Sequence, residues 1–149
     1  MEVIHPVSEE DFKRYYFLRW KILRKPWNQP PGSERNELDD TSYHVMVCEK
    51  DRIPLGIGRL HFNNAYEAQI RYMAVESEFQ GQGIGTRIMN ALERYAQEKN
   101  ASSIILYARE SAVPFYQKIG YVIEEKSYLL FGNIQHYKMK KILMSNDDT

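Results

Sequence analysis

The sequence predicts a mixed α/β fold whose first half is mainly antiparallel. Three observations predict it. The apolar patterning gives strand, helix, three strands, helix, strand, helix, two strands. The three strands between Tyr43 and Val75 are joined by connections of only a few residues, which suit antiparallel neighbours. A strongly amphipathic helix then separates Glu67–Val75 from Ser103–Tyr107, and a crossover of that kind makes two strands parallel.

The elements follow in order. Glu2 to Val7 reads as a first strand. Ser8, with Glu9, Glu10 and Asp11 behind it, is a helix start: a serine N-cap and acids in the first turn. The spacing of Phe12, Tyr15, Tyr16, Arg19, Ile22 and Leu23 carries that helix to about Arg24, and Pro26 closes it. Pro26 to Ser42 holds Pro26, Pro30, Pro31, Gly32 and many charges. It is too polar for core and long for a connector, so it reads as a solvated loop with a short helix near Glu34–Leu38. Tyr43–Glu49, Ile53–Phe62 and Glu67–Val75 are strands, with turns at Lys50–Arg52 and Asn63–Ala65. Ile84, Ile88, Met89, Leu92, Tyr95 and Ala96 recur at three and four, the mark of a helix packed on a sheet. Asn100 ends it. Ser111–Ile119 is a short helix stopped by Gly120. Tyr121–Glu125 and His136–Ile142 are the last strands, and 145–149 is a polar tail.

Composition narrows the function. A chain of 149 residues is one domain's worth, 1–149, and no repeat is visible. Twenty basic and twenty acidic residues balance, which argues against a dedicated nucleic-acid binder. No run approaches the roughly 18 apolar residues of a membrane span. The N-terminus lacks a basic start followed by an apolar stretch, so a soluble, cytoplasmic protein is expected. The one cysteine, Cys48, lies in an apolar run and reads as core. No Cys/His cluster has metal spacing, so no metal is expected.

The chemistry concentrates where a strand meets a helix, at Val75 to Arg87. Gly81, Gly83 and Gly85 alternate as the helix begins. Glycine lets the backbone turn tightly and approach a ligand, and the first N–H groups of a helix suit an anionic phosphate. The dinucleotide fingerprint fails, because Thr86 stands where its third glycine belongs. The NTPase loop fails too, because no Gly-Lys-Ser/Thr follows. A plain glycine-rich turn stays open as the alternative.

Gln80-x-x-Gly83-x-Gly85 resembles the Q/R-x-x-G-x-G/A signature of the GNAT N-acetyltransferase superfamily. The strand Arg71-Tyr72-Met73-Ala74-Val75 precedes it, as in that family. Ser111 to Tyr121, with Phe115-Tyr116-Gln117-Lys118-Ile119-Gly120, resembles the family's second block. The resemblance covers Tyr43 to Val122. It implies the GNAT-like acyl-CoA N-acyltransferase fold: a mostly antiparallel sheet with a central parallel, splayed pair and flanking helices. It implies acetyl-CoA as co-substrate and direct attack by an amine through a tetrahedral intermediate.

By that resemblance, Gln80, Gly81, Gln82, Gly83, Ile84, Gly85 and Thr86 hold the CoA pyrophosphate. Met73, Ala74 and Val75 pair with the pantetheine arm, and an N–H near Val75 polarises the thioester. Tyr116 is the general acid; its structural alternative is a core aromatic, a part for which Phe115 is the better candidate. The base is unassigned. Gln69 stands where some members carry a glutamate, which leaves water, Glu67, His61 or His136. Arg109 replaces a family asparagine and either meets the cofactor or pairs with Glu110. The 26–42 loop would lie near the acceptor cleft. There Arg24, Trp27, Arg35, Glu37, Asp39 and Asp40 do not choose between a cationic and an anionic acceptor, and a solvated loop is the reading for most of them. A small-molecule amine is the expected acceptor, with a protein lysine or N-terminus as the second reading. A non-catalytic acyl-CoA sensor is the third. The aromatic-rich C-terminal strands could pair across a homodimer.

Overall fold

Ser8 starts the first helix, as its residue type predicts. Its hydroxyl accepts the Asp11 N–H at 3.0 Å, and the Asp11 carboxylate accepts the Ser8 N–H at 3.3 Å. This reciprocal capping box satisfies two helix-end donors. Arg52 donates to the same carboxylate from Nε and Nη2, tying the helix start to a turn far along the chain. The computed structural model describes residues 1–144, so the tail at 145–149 lies outside the described residues.

The elements are β1 (Glu2–Ile4), α1 (Glu9–Leu23), β2 (Tyr43–Cys48), β3 (Pro54–Phe62), β4 (Glu67–Val75), α2 (Ile84–Glu98), β5 (Ser103–Arg109), α3 (Val113–Lys118), β6 (Val122–Leu130) and β7 (Ile134–Ile142). The seven strands hydrogen-bond in the order β1-β2-β3-β4-β5-β7-β6. β1–β2, β2–β3, β5–β7 and β6–β7 are antiparallel, whereas β4–β5 is parallel. The fold class is the expected one. Two strands at the C-terminal end are longer than patterning suggests. β6 runs to Leu130 and β7 starts at Ile134, because Tyr128-Leu129-Leu130 does not alternate and so gives no period-two signal.

The chain divides into two compact units. In the first, Met1–His61 with Tyr72–Tyr95, the core gathers Tyr15, Leu18, Met46, Cys48, Ile57 and Ala74. Cys48 is buried there, as expected. α2 lies close on β3 because Gly56 and Gly58 leave room. A Cβ on Gly56 would meet Ile84 Cγ2 at 2.5 Å, and one on Gly58 would meet Ile88 Cγ2 at 2.6 Å. Tyr43 stacks on Tyr95 with ring centroids 3.7 Å apart. In the second unit, Phe62–Arg71 with Ala96 onward, Ile104, Leu106, Tyr121 and Met139 are buried. Gly120 closes α3 at φ +102, the left-handed C-terminal turn its position predicts.

The 26–42 segment corrects one expectation. It holds two short 3-10 turns, Lys25–Trp27 and Glu37–Thr41, and it does not simply float in solvent. Glu34 and Asp39 are buried. Glu37 and Asp40 are exposed, as expected. The polar composition hid the burial, because a carboxylate can be internal when a cation meets it there.

Candidate active site

Val75 ends β4, and Ser77–Phe79 makes one 3-10 turn before the glycines. Gly81 and Gly83 stand at φ +82 and +81, a region that strains any residue with a Cβ. A Cβ built on either would touch nothing within 4 Å. Conformation, not packing, therefore requires these glycines, and they leave bare backbone at the surface. Gln80 to Gly83 are exposed. The Gln80 side chain folds back to donate to the Val75 carbonyl at 3.3 Å, linking the turn to the strand end. Arg87 N–H bonds the Gly83 carbonyl at 3.1 Å and so closes the first turn of α2. That leaves Ile84, Gly85 and Thr86 as the first three helical positions, whose N–H groups have no intrahelical acceptor. A phosphate fits such a cradle. Glu76 anchors the turn: its carboxylate takes Lys21 Nζ at 3.0 Å, and its N–H donates to Leu55 O at 2.8 Å.

β4 carries a second irregularity. Its parallel ladder with β5 runs from Glu67–Ser103 to Ile70–Leu106 and stops, while β4 continues to Val75 and β5 to Arg109. Two residues past that stop, Tyr72 is left-handed at φ +58. A non-glycine residue in that region costs about 1–3 kcal/mol and persists only where its surroundings hold it. Here they do. The Tyr72 ring lies 4.1 Å from the Arg19 guanidinium, 4.9 Å from Arg59 and 5.8 Å from Arg24.

Arg19 and Arg59 are wholly buried and share one carboxylate, Asp39. Asp39 Oδ1 accepts Arg19 Nη1 at 3.0 Å and Arg59 Nη1 at 2.9 Å, and Oδ2 accepts Asn36 N–H at 2.9 Å. Burial alone would raise the Asp39 pKa, but Arg19, the Asn36 N–H and Arg59 outweigh it and hold it low. His44 sits in the same layer. Its Nε2 donates to the Asp39 carbonyl and its Nδ1 accepts from Tyr15, each at 2.7 Å. Burial lowers its pKa, so the ring is neutral.

In the second unit, Tyr116 occupies α3 and is buried, with Tyr121 edge-on at 5.9 Å. This reverses the expectation that Phe115 would be the core partner; Phe115 is half-buried. The register of the six-residue helix puts Tyr116 and Val113 inward, one turn apart. Desolvation pushes the Tyr116 hydroxyl up to about 12, opposed by the positive charge of Arg109. Arg109 therefore lies within electrostatic reach of Tyr116, at the C-terminal end of β5 opposite His136.

The candidate bases differ in their freedom. Arg59 Nη2 lies 3.0 Å from His61 Nδ1. Arginine can only donate, so the His61 Nδ1 lone pair is used and Nε2 carries the proton. A ring with its lone pair committed has no basic site to offer. His136 Nδ1 lies 3.0 Å from Ile134 O, so Nδ1 donates and the lone pair is on Nε2; Tyr128 stacks on the ring at 4.5 Å. Glu67 is half-buried at the start of β4. Asn63 Nδ2 bridges its carboxylate and the Gln69 amide oxygen, each at 3.0 Å. Among the described residues, no group of three or more His, Cys, Asp or Glu could hold a metal ion. Among the described residues, no helix is long and apolar enough to cross a membrane.

Sequence reasoning missed Tyr72, Arg59 and His44. Arg59 left a signal, a lone cation inside the apolar run Ile57–Phe62, where only a buried anion could tolerate it. Tyr72 left none, since nothing in its type announces a left-handed backbone.

A family model described as an acetyltransferase (GNAT) domain matches residues 25–143. YjcF of Bacillus subtilis, an uncharacterised N-acetyltransferase, is 35% identical over 95% of this chain and 99% of its own. Two solved structures share the fold at low identity. An aminoglycoside 6'-N-acetyltransferase complexed with coenzyme A gives a TM-score of 0.79 at 17% identity, over 99% of this chain and 100% of that one. The ribosomal-protein-S18-alanine N-acetyltransferase of Escherichia coli gives 0.74 at 15%, over 99% and 97%. One name specifies a small molecule and the other a protein, so the shared fold does not choose between acceptors.

Proposed function

The chain belongs to the GNAT acetyltransferase family, and on that premise we propose that it transfers an acetyl group from acetyl-CoA to the primary amine of a small molecule. The observation that supports the acetyl-CoA site is the bare, left-handed pair Gly81 and Gly83, set between the end of β4 and the open N–H groups of α2, and the small-molecule acceptor is the expectation to be tested. Acetyl-CoA, when bound, supplies the activated acyl carbon.

This chain's own residues divide the work. Gln80, Gly81, Gln82, Gly83, Ile84, Gly85 and Thr86 hold the pyrophosphate with backbone N–H groups at a helix start. Met73, Ala74 and Val75 lie past the end of the parallel ladder and bind the pantetheine by main-chain pairing, as an added strand would. The left-handed Tyr72 turns the backbone just before them and orients their N–H groups, one of which polarises the thioester oxygen. Tyr116 protonates the departing thiolate. A phenol raised to about 12 is always present as a donor at neutral pH, and it hydrogen-bonds the sulfur as the C–S bond breaks, although the thiolate is the weaker of the two bases. Arg109 moderates that pKa and tunes the donor. Ordered water takes the amine's proton, with Glu67 and His136 as the alternative acceptors; His61 is set aside because Arg59 occupies its lone pair.

The test is direct. The protein is incubated with acetyl-CoA and a panel of small amines, a lysine-containing peptide and a free N-terminal peptide. Thiol release and N-acetyl product are then measured together. Product from a small amine at higher kcat/KM than from either peptide is the expected result. Turnover confined to peptides would make it a protein acetyltransferase. Tight acetyl-CoA binding with no product from any acceptor would support the sensor reading.

A further inference from the structure

Asp39 lies in the short turn Glu37–Thr41, yet α1, β2 and β3 hold it. Its Oδ1 accepts from Arg19 on α1 and from Arg59 on β3, and its carbonyl accepts from His44 on β2. Tyr15 and Asn36 close the network. The Tyr15 hydroxyl accepts from Arg19 Nη2 at 3.1 Å, and the Asn36 amide oxygen accepts from Arg59 Nη1 at 2.8 Å. Buried Arg19 and Arg59 are matched by buried Asp39 and Glu34, so this layer carries no surplus charge. Its consequence is geometric.

The hydrogen bonds leave one group over on each arginine. Nε of Arg19 and Nε of Arg59 are buried with no hydrogen-bond partner among the described residues. Both guanidiniums stand instead against one ring, that of Tyr72, at 4.1 and 4.9 Å from its centroid. An aromatic face attracts a cation within about 6 Å, most strongly where water is excluded. Two fixed cations therefore draw on this ring at once. The residue that carries it stands at φ +58, which its Cβ disfavours, and the attraction offsets that cost. Tyr72 directly precedes Met73. The peptide between them is planar and takes its orientation from the flanking dihedrals, so a change at Tyr72 swings the N–H groups that follow.

We propose that Asp39 is a positioning residue for acyl transfer: through Arg19 and Arg59 it fixes the Tyr72 ring, and the ring fixes the left-handed turn that aims the Met73–Val75 N–H groups at the thioester. The proposal rests on the acyltransferase reading and deepens it. It gives the 26–42 segment a part in the reaction that needs no contact with either substrate. Asp39 sets where the two guanidiniums stand, and the guanidiniums set where the ring stands. A donor aimed at a developing oxyanion loses most of its effect when it is turned away, so a remote carboxylate can govern the rate.

A double-mutant cycle tests it, with thiol release as the readout and each variant assayed well below its own melting temperature. Tyr72→Ala should lower kcat about tenfold or more and leave KM for acetyl-CoA within a few-fold. Tyr72→Gly should recover part of that loss, because glycine accepts a positive φ with no Cβ penalty. A ring needed only for packing predicts the reverse order, with glycine worse than alanine. Asp39→Asn should lower kcat comparably in the wild-type background and less than about twofold further in Tyr72→Ala. Full kcat in Asp39→Asn, independent multiplying effects in the double variant, or Tyr72→Gly no better than Tyr72→Ala would each overturn the proposal. Should Asp39→Asn fail to fold, Arg59→Lys takes its place in the cycle; it keeps the buried charge and loses the flat guanidinium that faces the ring. Should no amine be turned over, the acyltransferase reading fails separately. The relay is then judged by the backbone amide NMR signals of Met73, Ala74 and Val75. Asp39→Asn must displace them as Tyr72→Ala does, and signals that Asp39→Asn leaves in place sink it.

Discussion

Arg59 Nη1 lies 2.9 Å from Asp39 Oδ1, and the arginine is entirely out of solvent. A buried guanidinium needs its counter-charge, and here a second one, Arg19, leans on the same oxygen. Asp39→Asn keeps the shape and removes the charge. It should cost about 3–5 kcal/mol, the usual result of orphaning a buried ion. Urea unfolding measures this. A loss under 1 kcal/mol would mean that water reaches the pair.

The same carboxylate sets an acid limit. Asp39 and Asp11 both have folded-state pKa values below the ordinary aspartate value, Asp39 through the arginines that outweigh its burial and Asp11 chiefly through Arg52. For a depressed carboxyl the stabilisation is full above the unfolded pKa of about 4 and is lost as pH falls through the folded value. Stability should therefore begin to fall below about pH 6.5, where the unfolded chain protonates His44 and the folded one resists it, and fall further below pH 4 as Asp39 and Asp11 protonate. In Asp39→Asn and Asp11→Asn the low-pH slope should be shallower. An unchanged slope in both would contradict the assignment.

Gly56 is a packing glycine, unlike Gly81 and Gly83. Gly56→Ala would set a methyl 2.5 Å from Ile84 Cγ2 and 2.9 Å from Ile88 Cδ1. The Cγ2 contact is with a β-branched chain that has little rotamer freedom in a helix. The overpacking should cost about 1–3 kcal/mol. Because the displaced helix starts at the phosphate cradle, acetyl-CoA affinity should fall along with stability. A neutral Gly56→Ala in both assays would refute the close packing.

Tyr116→Phe separates chemistry from binding. It removes only the hydroxyl and should lower kcat by about 10²-fold, the low end for general acid catalysis. KM for acetyl-CoA should stay within a few-fold. The high phenol pKa of about 12 also predicts no loss of activity from Tyr116 ionisation below pH 10. Full activity in Tyr116→Phe would return the residue to the core.

The fold was legible because its signals are local. Ser8 with three following acids marked α1, the short turns marked the strands from Tyr43 to Val75, and the period of Ile84, Ile88 and Leu92 marked α2. The glycine turn was legible for the same reason, and the left-handed Gly81 and Gly83 fit it. What stayed hidden depends on distant partners. Asp39 looks solvated until Arg19 and Arg59 are brought to it from another helix and another strand. Tyr116 and Phe115 are adjacent and chemically alike, so only the register of α3 tells which one turns inward. The left-handed Tyr72 is a backbone conformation imposed by packing, with no compositional trace.

The most direct test of the central claim is the melting temperature with acetyl-CoA, measured beside ATP and NADH at equal concentrations. A ligand held by Gln80–Thr86 and Met73–Val75 should stabilise by about 2.7 kcal/mol at a hundred times its Kd, and ATP and NADH should not. A rise with acetyl-CoA alone, lost in Gly83→Val, is the predicted result. No rise at millimolar acetyl-CoA, or an equal rise with ATP, would contradict the cofactor site and the transfer reaction built on it.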